Sequence, residues 1–294
     1  MSERLIPTPQ IETREKKLFL QRLPVPLVAY FVNRLLGRNL TSEEQTKIKE
    51  LAKRVVREEH FSASREVPPV YESQLAKIFC EGEENMPENG STIVIGNHVR
   101  GGPLYEMGQY FEIARIVYDG RTAVEDEFTR EPYAIMQRGL APTVRIFGGR
   151  LSVPIPLARQ LTGQFYELMA RSVGWEIVDL PRFDESGQIT NRQNLSRRAI
   201  ERLEAGGAMM WFPQGKHTTN LEFPQKAGDW LFRLKDKDIQ LIPLRVISKG
   251  KGTLFLLIGK PIHIQDLPLT DGTVNINRDF VQEHIAPLGR SITP

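Results

Sequence analysis

Five short apolar runs mark the chain from about residue 76 onward: Ile93 to Ile95, Trp175 to Val178, Met209 to Phe212, Leu241 to Ile247 and Leu254 to Ile258. Runs this brief, bounded by turn residues, read as buried strands. Helical patterns lie between them, at Tyr105 to Val117, Arg159 to Ser172, Asn194 to Glu204 and Trp230 to Leu234. Strands alternating with helices predict an α/β fold, a mixed sheet flanked by helices. Ligands in such sheets sit beyond the carboxyl ends of strands. The residues that follow each apolar run are therefore the ones to read for chemistry.

The first part of the chain has a different texture. Residues 1–75 read as an N-terminal helical segment and residues 76–294 as the α/β domain; 294 residues suffice for one large core with an appendage. Pro24 and Pro26 interrupt the apolar stretch Leu18 to Leu36, so a helix is predicted from about Leu27 to Leu36, ending at Gly37. Leu27, Tyr30, Phe31 and Leu35 cover much of its circumference, and Arg22, Arg34 and Arg38 flank it. Such a helix either lies in a lipid interface or packs on the main domain. The next helix opens on a capping box, Thr41 with Glu44 or Ser42 with Gln45. Its apolar face is Ile48, Leu51, Ala52, Val55 and Val56. Ser62 to Pro69 reads as a linker. The polar stretch Met1 to Lys17 has no apolar centre, so no signal peptide is expected. No apolar run reaches about 18 residues, so no transmembrane helix is expected either.

A net charge of +3 without a concentrated basic stripe argues against a nucleic-acid partner. It suits an anionic substrate or an anionic lipid surface. Cys80 is the single cysteine, which excludes an intrachain disulfide and a Cys-rich zinc site and favours a reducing compartment.

Three constellations follow apolar runs. Ile93-Val94-Ile95-Gly96-Asn97-His98 delivers a histidine at a strand end, and Val99-Arg100-Gly101-Gly102-Pro103 then turns, with Pro103 suited to open a helix. A histidine there is a candidate general base towards a hydroxyl, or a ring satisfied by local hydrogen bonds. Trp211-Phe212-Pro213-Gln214-Gly215-Lys216-His217-Thr218 ends a buried run in a polar turn. Lys216 and His217, with turn amides, suit an anion such as phosphate. A Walker-type loop is excluded, since Met210 stands where its first glycine belongs. Gly174-Trp175-Glu176-Ile177-Val178-Asp179-Leu180-Pro181-Arg182 is a strand leading into an arginine-bearing stretch.

In this order the motifs resemble those of the glycerolipid acyltransferases. Gly82-Glu83-Glu84-Asn85-Met86-Pro87 is similar to that family's lead-in, and Asn97-His98 to its catalytic motif. Gly174 to Arg182, Phe212 to Thr218, Lys226-Ala227-Gly228, Ile242-Pro243-Leu244 and Leu257 to Ile262 are similar to the elements that follow. The resemblance covers roughly residues 78 to 264. It departs from the family at the acid that orients the histidine, where Pro103 stands, and the nearest downstream acid is Glu106. Leu180 replaces an arginine, with Arg182 two positions on, and Gln214, Lys216 and His217 replace the usual Glu, Thr and Arg.

The resemblance implies an acyltransferase-like fold and transfer of a fatty acyl group from a thioester to a glycerophosphate or lysophospholipid hydroxyl. His98 would be the base and Glu106 its support. Arg182, Gly215, Lys216 and His217 would hold the acceptor's anionic head. It implies no metal and no cofactor beyond the co-substrate, an acyl thioester of coenzyme A or of an acyl carrier protein. The location implied is cytoplasmic, at a peripheral membrane surface. The missing Asp keeps open a second reading, an inactive lipid-binding or scaffolding module. A lipid or thioester hydrolase is a third, although no Gly-x-Ser-x-Gly elbow is present.

Overall fold

The computed structural model describes residues 25–36, 39–97, 99, 102–104, 106–137, 143–146, 151–154, 156–178, 197–213, 221, 231–249, 252–267, 269–270, 273–274 and 280–289. Two helices come first, α1 (Val25–Leu36) and α2 (Ser42–Val56). Thr41 caps α2 as a capping box. Its side-chain oxygen accepts from the Glu44 N–H at 3.2 Å, and its own N–H donates to the Glu44 carboxylate at 2.7 Å. A third, one-turn helix is α3 (Glu72–Leu75). The segment read as a linker is packed instead: Ala63, Ser64 and Val67 are buried. Glu131 holds it by accepting from Ser62 Oγ, Ser64 N and Ser64 Oγ at 2.6–2.9 Å.

The main sheet is built from β1 (Ile78–Glu81), β2 (Ser91–Gly96), β3 (Tyr133–Gln137), β6 (Glu176–Val178), β7 (Ala208–Trp211), β8 (Ile239–Lys249) and β9 (Thr253–Ile258). Between β3 and β6 the strands β4 (Thr143–Ile146) and β5 (Leu151–Pro154) form a separate antiparallel pair. The order across the sheet is β1-β9-β8-β2-β7-β3-β6. β8, β2, β7, β3 and β6 are parallel; β9 and β1 run against them. The short β10 (Ile262–His263) pairs with Leu241 and Gln240 of β8, below the β9 pairing that begins at Leu244. Pro243 falls at the break between these partners. Its carbonyl accepts from Gly259 N–H at 2.8 Å, so the missing proline donor faces a gap in the ladder.

Residue alternation along the strands serves two helical layers. Val94, Ile242, Leu244, Val246 and Leu256 pack on one side with residues of α1, α2, α4 (Glu106–Gly120) and α6 (Pro156–Ser172). Ile93, Ile95, Met209 and Leu241 pack on the other with Ala199 and Leu203 of α7 (Arg197–Glu204), Leu231, Leu234, Phe280 and Ile285. A short helix, α5 (Glu127–Arg130), precedes β3, and the pair β11 (Leu269–Thr270) and β12 (Thr273–Val274) follows β10. The mixed α/β sheet flanked by helices is thus as expected. The first helix packs against α2 and α4, with Val28, Ala29 and Val32 all buried in the shared core. The side chains of Leu27, Tyr30, Phe31 and Leu35 lie outside the described residues, as do Arg22 and Arg38. Among the described residues no helix is long and apolar enough to cross a membrane.

Candidate functional site

β2 and β7 are neighbours in the middle of the sheet and run in the same direction. Ile95 lies opposite Trp211, so the chain leaves both strands at the same level. The segments that open at Asn97 and at Phe212 therefore start side by side on the carboxyl edge. β6, which precedes Arg182 in the chain, ends on this edge too, two strands away from β7.

Asn97 fixes the exit from β2. It is buried, and its side chain replaces a strand residue. Nδ2 donates to the Val246 carbonyl at 2.9 Å and Oδ1 accepts from the Val246 N–H at 2.8 Å. These bonds continue the β2–β8 ladder beyond its last pair, Gly96 with Leu244. Gly96 is needed at that pair, because a Cβ there would come within 2.5 Å of the Leu244 carbonyl oxygen. Further on, Gly102, Pro103 and Leu104 are buried, and Gly102 lies against Leu254 of β9. The helix predicted to open at Pro103 instead begins at Glu106, since the three residues from Gly102 are committed to packing. Gln109, buried in the first turns of α4, donates to the carbonyls of Val99 at 3.1 Å and Leu104 at 3.4 Å. It clasps both ends of this stretch. Sequence reading missed Gln109, whose only signal is a neutral amide among apolar residues.

The wall beside the turns is aromatic. The Tyr110 ring of α4 meets Phe212 edge-on at 4.7 Å between centroids. Deeper along α4 the acids are already engaged. Glu112 is buried and accepts from Arg115 at 2.7 and 3.1 Å, and Arg115 reaches Asp119 at 2.8 Å. Burial, reinforced by the Glu112 charge, holds the neighbouring Tyr71 phenol well above its ordinary pKa. Burial, together with Glu83, likewise pushes the Cys80 thiol far up, which leaves it protonated and a poor nucleophile.

Three motif residues serve the backbone. Gly82 has φ +82°, and a Cβ on it would lie 2.1 Å from the Ile258 carbonyl; Asn85 donates to that same carbonyl at 2.9 Å. Both belong to the opposite edge of the sheet from the candidate site. Gly174 ends α6, where the next residue's N–H closes onto the Ala170 carbonyl at 2.8 Å. Trp175 then stacks on Phe111 and donates Nε1–H to the Pro132 carbonyl.

His98, Arg182, Gly215, Lys216 and His217 lie outside the described residues. Glu106 is the first residue of α4, but its side chain also lies outside them. What the structure does describe is the framework that carries them.

No family model and no curated protein matches the chain. A solved structure does. The chain is similar to the 1-acyl-sn-glycerophosphate (LPA) acyltransferase PlsC from Thermotoga maritima, with 15% identity and a TM-score of 0.43, over 84% of this chain and 88% of that one.

Proposed function

We propose that the protein transfers a fatty acyl group from a thioester to a hydroxyl of a glycerophosphate or lysophospholipid acceptor at a membrane surface. One observation carries the reading. β2 and β7 are parallel neighbours ending at one level, and the two motif turns that must cooperate in such chemistry follow directly after them. A sheet with another strand order would have separated these turns.

In this reading His98 takes the proton of the acceptor hydroxyl as the oxygen attacks the thioester carbonyl. The tetrahedral intermediate collapses with loss of the thiolate of coenzyme A or an acyl carrier protein, and the imidazolium returns the proton to sulfur. A positioned base of this kind is worth about 10²–10⁴-fold in rate. Lys216, His217 and Arg182 hold the acceptor's anionic group, and Gly215 lets the backbone approach it. Glu106 is assigned to orient the imidazole. It opens α4 one turn before Tyr110, whose ring meets Phe212 at the end of β7. The later acids of that helix, Glu112 and Asp119, both pair with Arg115.

The test is mass spectrometry of lipids formed when the purified protein meets a panel of lysolipids and acyl thioesters. Acylated product should appear, should vanish in His98→Ala, and should fall about 10- to 1000-fold in Glu106→Gln. Unchanged turnover in His98→Ala removes the mechanism. The buried Pro103 at the position of the family's acid favours a second reading, an inactive lipid-binding module. Lysolipid binding with no product from any donor would decide for it.

A further inference from the structure

β8 does not stop where β2 does. β2 ends at Gly96 opposite Leu244, while β8 runs on to Lys249 and returns as β9, with β1 alongside. This three-stranded overhang projects past the carboxyl edge, next to the candidate site. Its inner face carries Val246, Leu254 and Leu256 into the core.

The outer face is ordered in cross-strand rows. Phe79, Phe255 and Ile247 are register partners and form one row. Lys249 and Thr253 are partners in the next row towards the tip, and Lys77 completes it, its carbonyl accepting from Leu254 N–H at 3.0 Å. The row on the other side holds Glu81, Leu257 and Arg245. Phe79 stacks on Phe255 at 5.3 Å yet stays 50% exposed. Among the described residues the other exposed large hydrophobic is Phe128, which stands alone with the Arg202 guanidinium over its ring rather than in an aromatic row. Lys77 and Lys249 are exposed, and among the described residues neither pairs with a carboxylate. Lys77 donates only to the neutral Gln74 side chain, and Lys249 lies over the Phe255 ring at 5.8 Å.

We propose that this outer face docks on an anionic lipid bilayer, with Phe79 and Phe255 entering the interface and Lys77 and Lys249 meeting lipid phosphates. An exposed aromatic row bordered by unpaired lysines matches the bilayer boundary, where rings sit at headgroup depth and lysines reach the phosphates. Arg245 is spent on the carbonyls of Ala286 and Leu288, so the positive charge offered outward is that of the two lysines at the tip. The choice of lipid also rests on the acyl-transfer reading, whose acceptors reside in a bilayer.

The test is sedimentation of the full chain with phosphatidylcholine vesicles, with and without a quarter of phosphatidylglycerol. Binding should be stronger with phosphatidylglycerol and should weaken with salt. Lys77→Gln with Lys249→Gln should lower it about 25-fold, at about fivefold per lysine. Phe79→Ser with Phe255→Ser should lower it on both vesicle types. The lysine pair is exposed, so its unfolding temperature should not move, and it keeps the test readable if the phenylalanine pair unfolds. Binding by both double variants equal to that of the unaltered chain overturns the proposal. So does a dimer in light scattering that the phenylalanine variant disperses, since the face would then bind a second copy. Acyl transfer to a monodisperse short-chain acceptor separates this proposal from the catalytic one. Vesicle binding lost without any transfer activity leaves the surface standing and removes the reaction. Full transfer beside undiminished vesicle binding does the reverse.

Discussion

At the scale of single residues, the candidate site depends on Asn97 before it depends on any catalytic group. Its two hydrogen bonds to Val246 join positions 149 residues apart and set where the chain leaves β2. Asn97→Ala leaves a buried N–H and a buried carbonyl without partners. It should cost about 3 kcal/mol, read from urea unfolding, and lower the proposed acyl transfer in the fraction that remains folded. The Asn-His pair was legible in the sequence from its place at the end of an apolar run and its resemblance to a known motif, but the clasp that Asn97 makes on Val246 was not, because that partner lies far along the chain. Gln109 was not legible, because an amide that clasps the carbonyls of Val99 and Leu104 leaves no pattern in a linear chain. Conversely, Gly82, Asn85 and Gly174 stood out as motif residues, yet the structure uses them to close a strand end and a helix end.

At the scale of elements, the apolar runs located their strands closely, because burial on both faces leaves a continuous hydrophobic signature. The Leu241 to Ile247 run is β8 cut short, since its ends carry Gln240, Ser248 and Lys249. β1 escaped for a related reason. Its exposed face holds Phe79 and Glu81, which blurs the pattern over only four residues. The capping box of α2 was legible as one of two adjacent pairs, of which the structure forms Thr41 with Glu44, but the second task of Glu44 was not legible. The same carboxylate accepts from Ser73 N–H at 2.7 Å and Ser73 Oγ at 2.8 Å, tying α2 to α3. Burial alone would raise its pKa, but the hydrogen bonds from Thr41 and Ser73 outweigh it and leave the carboxyl below its ordinary value. A depressed folded-state pKa stabilises above the ordinary carboxylate value, and that stability is lost as pH falls through the lowered one. Glu44→Gln should therefore cost about 1–2 kcal/mol at neutral pH. Its stability should also decline less than that of the parent chain on acidification, as measured by thermal unfolding across a pH series.

At the scale of the whole molecule, Arg121 does at the amino edge what Asn97 does at the carboxyl edge. It follows α4 directly, is fully buried, and donates to the Gly90 carbonyl at 2.9 Å, to Thr92 Oγ1 at 3.2 Å and to the Gly206 carbonyl. It thus ties α4 to the starts of β2 and β7 at once. Burial, with Arg130 nearby, lowers its pKa to about 10, which leaves it charged at neutral pH. Arg121→Met should cost about 3 kcal/mol in chemical denaturation, with Arg121→Lys falling between. Strand order belongs to this scale, and the sequence did not carry it. The alternation of strands and helices implied a sheet flanked by helices, but β2 takes its partners from β7 and β8, far along the chain. That pairing has a cost in time. On the ribosome, at roughly 5–20 residues per second, β2 emerges on the order of ten seconds before the strand that Asn97 must grasp. Until β7 and then β8 follow, Ile93 to Ile95 are a hydrophobic ribbon short of its ladder partners, and what guards a nascent chain from sticking to its neighbours has to come from outside it.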